Sequence, residues 1–189
     1  MKVIGLIGLI GSGKDTMGDY IAKRHGYKMI VMGDIVRELA KELGRELTRD
    51  NLQLTQKEYS KKYGNEFFVR KVIGKIQKNS YTKVVVNGIR RPEDASVLKQ
   101  EYKNDMLIIR LDAKPETRFK RLKKRNRVSD PKTLGEFLRQ EENEYKYFDY
   151  KETFKYTDVV IDAGKGLIAV QKQIDELLKK KGVRLKKRA

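Results

Sequence analysis

The 189-residue chain contains no cysteine and only one histidine, His25. Without cysteine there are no disulfides and no thiolate metal centres. With neither Cys nor a second His, no Cys–His or Ser–His hydrolytic triad stands out. His25 is followed by Gly26, and the pair reads as a helix end, with Gly as the left-handed stop. Long apolar runs are also missing, and none approaches the ~20 residues of a membrane span. The first apolar stretch is broken by glycines and lacks a cleavage-site pattern, so it is expected to be a strand rather than a signal peptide. The expected location is the cytoplasm. Neither an internal repeat nor a low-complexity linker divides the chain.

Acidic charge is scarce. Asp and Glu number 26 against 44 Lys and Arg, a formal net charge of +18. Two readings of that excess are open. One is contact with nucleic acid or another polyanion. The other is a Lys-rich surface, of the kind that suits a thermophile, plus a set of arginines that handle phosphates. Much of the excess lies in the run 179–188. That run reads either as a solvated end or as a weak RNA or polyanion contact.

The composition is 39% hydrophobic and 37% charged, which suits a globular protein with a heavily charged surface. Short, nearly continuous apolar runs at 3–7, 28–32, 83–87, 106–111 and 158–162 read as parallel strands covered on both faces. Helical spacing marks 15–24, 35–43, 67–76, 93–102, 115–124, 133–150 and 166–180. Pro92 and Pro115 suit first turns. This alternation predicts one three-layer α/β domain over residues 1–180, with a basic tail at 181–189. Two charged segments exceed a minimal crossover, 44–66 and 126–150. Each reads either as a flap over a site or as a plain surface helix.

The strongest local signal is Gly8-Leu9-Ile10-Gly11-Ser12-Gly13-Lys14-Asp15-Thr16. It fits the Walker A pattern G-x-x-x-x-G-K and directly follows an apolar run, as a phosphate-binding loop does. Gly8, Gly11 and Gly13 let backbone N–H groups, Ser12 included, turn inward around phosphate oxygens. The helix that follows points its positive end at the same anion. Lys14 can reach the outer phosphates of a nucleoside triphosphate. Asp15 stands where Ser or Thr usually holds the metal, and the hydroxyl of Thr16 comes one place later.

Further charged groups follow the other strands, where an open α/β sheet places its ligands. After the second strand come Gly33, Asp34 and Arg37. Asp34 is expected to cap a helix starting at Ile35, and Arg37 to project toward a second anion. After the third strand come Gly88, Arg90 and Arg91, and either arginine suits a phosphate by bidentate contact. Arg121 and Arg125 share one helix face and, with Arg127, are placed to clamp a triphosphate. Arg139 follows. The cluster Tyr145, Tyr147, Phe148 and Tyr150 reads either as helix packing or as a base-stacking surface.

The order Gly8-x-x-Gly11-x-Gly13-Lys14-x-Thr16, Gly33-Asp34-x-x-Arg37, Asn87-Gly88-x-x-Arg91 and Arg121-x-x-x-Arg125 resembles adenylate kinase-type nucleoside monophosphate kinases. The blocks Met32–Arg37, Gly88–Arg90 and Pro115–Phe119 are similar to those of small adenylate kinase-related proteins found mainly in archaea. The resemblance implies a P-loop fold with sheet order 2-3-1-4-5, an acceptor-binding excursion at 44–66 and a lid-like segment at 126–150. It implies a kinase using ATP and Mg²⁺, with Lys14 and the loop amides holding ATP. Arg37 and Arg90 or Arg91 would hold the acceptor phosphate. Arg121, Arg125, Arg127 and Arg139 would neutralise charge during transfer. Asn87 departs from that family, which usually has an Asp there to order water around magnesium. Asp15, beside Thr16, is the candidate to compensate. The Lys-Asp-Thr ending is also similar to that of certain phage deoxynucleotide kinases.

A second resemblance competes. The ending Thr157–Asp162 before a glycine loop looks like dephospho-CoA kinase, in which an Asp after the second strand is the base. Asp34 sits at that place. The expected activity is therefore phosphotransfer from ATP to a nucleoside or deoxynucleoside monophosphate. Phosphorylation of a ribose hydroxyl is one alternative, and an RNA- or ribosome-associated ATPase is another.

Overall fold

A computed structural model describes residues 2–126 and 130–183. Five strands form one parallel sheet: β1 (Val3–Ile7), β2 (Lys28–Val31), β3 (Val84–Ile89), β4 (Met106–Asp112) and β5 (Val159–Asp162). Their order is β2-β3-β1-β4-β5. β1 is central and buried throughout, as its unbroken apolar run requires. The connection from β1 crosses to β2 on one side, and that from β3 crosses over β1 to β4 on the other. The C-terminal end of β1 is thus the topological switch point, where this class of sheet leaves a crevice.

The helices are α1 (Lys14–His25), α2 (Met32–Glu42), α3 (Arg49–Tyr63), α4 (Phe67–Lys78), α5 (Pro92–Tyr102), α6 (Pro115–Arg125), α7 (Leu134–Tyr147), α8 (Tyr150–Thr153) and α9 (Leu167–Lys180). The side-chain alternation of β1 divides the core in two. Val3 and Ile7 face the layer built from α2, α4 and α5. Ile4 and Leu6 face α1 and α9. No helix among the described residues is long and apolar enough to cross a membrane.

Three local boundaries differ from the sequence expectation. Helix α2 begins at Met32, so Asp34 lies inside its first turn and Val31 is the N-cap. The apolar residues of 28–32 are shared between strand and helix, which hides the junction. Strand β3 runs on to Ile89, with a register shift opposite Leu6 and Ile7 and a positive φ of 88° at Gly88. The extra residue returns Ile89 to the face of Val84 and Val86 and leaves Asn87 on the α1 face with Val85. The expected helix 133–150 stops at Tyr147, and Asp149 turns left-handed (φ 49°) and caps α8 by accepting from Glu152 N. As expected, α1 ends at His25, with Gly26 left-handed (φ 74°).

Candidate active site

The loop between β1 and α1 wraps the end of the central strand. Two of its glycines have positive φ, 78° at Gly11 and 94° at Gly13. A Cβ on Gly11 would stand 2.7 Å from the Arg118 carbonyl oxygen, so only Gly fits between loop and α6. Lys14 opens α1 half-buried and makes no hydrogen bond or ion pair among the described residues. Burial pulls its pKa down, Arg90 and Arg125 act the same way, and Asp15 and Glu144 oppose them. A cation kept in such surroundings without a bonded anion is set to receive one. Ser12 Oγ is likewise buried and without a partner. Asp15 and Thr16 follow on the exposed side of the first turn, and Asp15 Oδ1 accepts from Asn87 Nδ2 at 2.9 Å.

A cavity of about 230 Å³ opens beside this loop. Its cationic part comprises Arg37, Arg49, Arg90, Arg91 and Arg125, with Gly33 and Gly88 in the wall. Its apolar part comprises Met32, Val36, Leu47, Leu52 and Phe68, with the amides of Gln53 and Gln56. Arg90 and Arg91 are carried by the aromatic cluster. The Arg90 guanidinium lies 5.0 Å from the Phe148 ring centre, and that of Arg91 lies 5.0 Å from Tyr147 and 5.7 Å from Phe148. Phe148 and Tyr150 are core residues. The aromatics therefore pack the domain and orient the arginines by cation–π contact. The Arg90 guanidinium has no hydrogen bond or ion pair among the described residues. Burial opposes its charge, and Tyr150, Glu144, Asp15 and Asp94 more than offset this.

Other arginines already have partners. Arg37 donates to Asp34 Oδ1 from Nε at 3.0 Å and Nη2 at 2.5 Å. Arg121 donates to the Ser12 carbonyl at 3.2 Å and the Ala163 carbonyl at 2.5 Å, so it lies flat along the phosphate loop toward the β5 end. Arg125 is ion-paired with buried Asp130, and that pairing holds its charge firmly. Arg139 is exposed on α7 and does not line the cavity. Arg127 lies outside the described residues.

Arg49 and Asp94 are missing from the sequence expectation, and Arg118, on the helix of Arg121 and Arg125, has no role assigned there. Arg49, at the start of α3, donates to Gln140 Oε1 at 2.9 Å and pairs with Glu144, tying the excursion to α7 across the cavity. Arg118 is 2% exposed and joins the Ala113 carbonyl (2.8 Å), the Ile10 carbonyl (3.2 Å) and Glu141 of α7. Asp94 lines the cavity floor at 4% exposure and accepts from Arg91 N at 3.1 Å. Burial pushes its pKa up to about 6. The Thr48-x-x-Asn51 cap that starts α3 is readable in sequence, but nothing local says where Arg49 points.

A five-stranded parallel sheet in this order, with a glycine loop and Lys at the end of its central strand, defines a P-loop fold of the kinase type. Residues 7–138 match the family described as an AAA domain, and the chain belongs to it. More narrowly, the chain belongs to the UPF0200 family. It is 31% identical to a UPF0200 protein of Pyrococcus horikoshii over 183 residues, 94% of this chain and 96% of that protein. It is also 31% identical over 164 residues to a UPF0200/UPF0201 protein of Archaeoglobus fulgidus, covering 86% of this chain but only half of that protein. Among solved structures, shikimate kinase from Acinetobacter baumannii, in complex with shikimate, has a TM-score of 0.60 at 17% identity, over 97% of this chain and 96% of that one.

Proposed function

We propose that this chain transfers the γ-phosphoryl group of ATP to the phosphate of a nucleoside or deoxynucleoside monophosphate. The observation that carries the reading is the two-part cavity beside the phosphate loop. Its Arg37–Arg90–Arg91 side suits a phosphate, and its Met32–Val36–Leu52–Phe68 side suits a flat apolar base. A terminal oxygen of the acceptor phosphate forms the new bond to the γ-phosphorus. The bond from that phosphorus to the β–γ bridging oxygen breaks, and its electron pair leaves on ADP. The attacking oxygen is already anionic, so no base is needed. Lys14, Arg90 and Arg91 offset the repulsion between the two phosphates and hold them in line. Arg121, bonded to the Ser12 carbonyl of the loop, would act on the nucleotide side.

Mg²⁺ fits the same place. Thr16 and Asp15 offer oxygen ligands beside Lys14, and the bare Asn87 Oδ1 behind them is a further acceptor. When bound, the ion would neutralise the β- and γ-phosphate oxygens. Assays with each monophosphate, ATP and Mg²⁺ test the reading. Arg90→Gln is expected to raise KM for the acceptor and lower kcat, because its guanidinium makes no ion pair among the described residues and is left for the acceptor phosphate.

One observation favours a second reading, transfer to a sugar hydroxyl. Such an acceptor needs a proton acceptor, and Asp94 lines the cavity with its pKa pushed up to about 6. Asp34, the base implied by the dephospho-CoA kinase resemblance, is bonded to Arg37. Asp94→Asn would cost a hydroxyl acceptor on the order of 10²–10⁴-fold in kcat. A phosphate acceptor would lose far less.

A further inference from the structure

Asn87 is 1% exposed at the end of a central strand. Its two amide ends are in opposite situations. Nδ2 donates to Asp15 Oδ1 at 2.9 Å, while Oδ1 is buried with no partner. An interior acceptor left bare is unfavourable, so it calls for a donor that arrives with a ligand. Strand alternation puts Asn87 on the α1 face with Val85, just before the bulge at Gly88. There it meets a carboxylate that directly follows Lys14 and precedes Thr16.

We propose that Asp15 supplies the carboxylate of a divalent-cation site, and that Asn87 positions it through the Nδ2–Oδ1 bond. The bare Asn87 Oδ1 then accepts from a water of the cation's shell. This inference rests on the reading that the loop binds a nucleoside triphosphate with its metal.

Two physical arguments support the arrangement. Magnesium keeps several waters and is usually held by one or two carboxylates plus substrate phosphates. Among the described residues no group of three His, Cys, Asp or Glu side chains gathers to make a protein cage. The site is therefore weak for the bare ion and tight only with a triphosphate in the loop. Second, an acid at both positions would set two carboxylates within hydrogen-bonding distance, and they would repel. One acid and one amide form a compatible pair, and the pair works in either order.

That symmetry gives the experiment. Mn²⁺ binding is measured by electron paramagnetic resonance on the full chain with a non-hydrolysable ATP analogue. Analogue binding without metal is measured separately by calorimetry. Asp15→Asn is expected to weaken Mn²⁺ binding at least tenfold while leaving metal-free analogue binding unchanged or tighter. The exchange Asp15→Asn with Asn87→Asp keeps the hydrogen bond and the net charge, and is expected to restore Mn²⁺ affinity to within about threefold. Melting temperatures of the ligand-free variants report folding, and Asp15→Ala, which offers no oxygen ligand, gives the same readout should Asp15→Asn not fold. Wild-type Mn²⁺ affinity in Asp15→Asn, or no recovery in the exchange, overturns the inference alone. A wild-type chain that binds neither analogue nor metal overturns the phosphotransfer reading with it.

Discussion

Replacing Arg118 with Leu tests how the phosphate loop is held. Arg118 bonds two carbonyls and both oxygens of Glu141, and its guanidinium lies 5.3 Å from the Phe137 ring centre. Removing it leaves a Glu141 side chain only 16% exposed without its counter-charge. Breaking one side of a buried pair costs about 3–5 kcal/mol. The lower end, about 3 kcal/mol, applies here because Glu141 keeps some contact with water. Arg118→Leu with Glu141→Leu removes both charges and leaves only the carbonyls of Ala113 and Ile10 unpaired. Its cost is expected to be smaller than that of Arg118→Leu alone, about 1–2 kcal/mol. Urea unfolding followed by circular dichroism at neutral pH measures both, and 0.5 M salt should change little because the pair is inside the protein. A loss below about 1 kcal/mol for Arg118→Leu would refute the reasoning. So would a double variant that loses the sum of its single variants.

Three other outcomes follow from the same geometry. Asp94 has a folded pKa of about 6 against 3.8 for the free group, so the folded state binds more protons between those values. Wild-type stability should therefore rise, by roughly 3 kcal/mol, relative to Asp94→Asn as pH falls from about 7 to about 4; parallel urea titrations would contradict this. Gly13→Ala meets no clash, since Arg121 Nη1 would be 3.8 Å away, but φ there is 94°. The expected cost is about 1–2 kcal/mol with weaker ATP binding, read by melting and calorimetry. Glu144→Gln frees Arg49 in the cavity and should lower KM for an anionic acceptor several-fold at low salt and less at high salt, as initial rates would show.

The sheet and the phosphate loop were the most legible parts of the sequence. Continuous apolar strands, a glycine break and a Lys form a short-range pattern, and the family resemblance supplied the strand order. Arginine spacing was legible only as a set. Arg118, Arg121 and Arg125 lie on one face of α6 and look alike in sequence. The fold gives them different partners: Glu141 and the Ile10 carbonyl, the loop backbone, and Asp130. Arg118 and Arg121 meet the loop carbonyls across 108 to 110 residues of sequence, and their remaining partners come from α7 and the β5 end. The Arg49–Glu144 tie was illegible for the same reason, its members being 95 residues apart. Asp149 hid the α7–α8 break, because a non-Gly residue with positive φ carries only a weak sequence signal. Arg139, within the expected lid-like segment, is exposed on α7 and outside the cavity lining.

The most direct test of the central claim is the bond formed when this chain meets ATP and an acceptor. A panel of nucleoside and deoxynucleoside monophosphates, dephospho-CoA and shikimate is incubated with ATP and Mg²⁺, and the product is read by phosphorus NMR. The account predicts a new phosphoanhydride, seen as a coupled pair of phosphorus signals on one monophosphate. A phosphomonoester singlet on a sugar or ring hydroxyl, or orthophosphate alone, would contradict it.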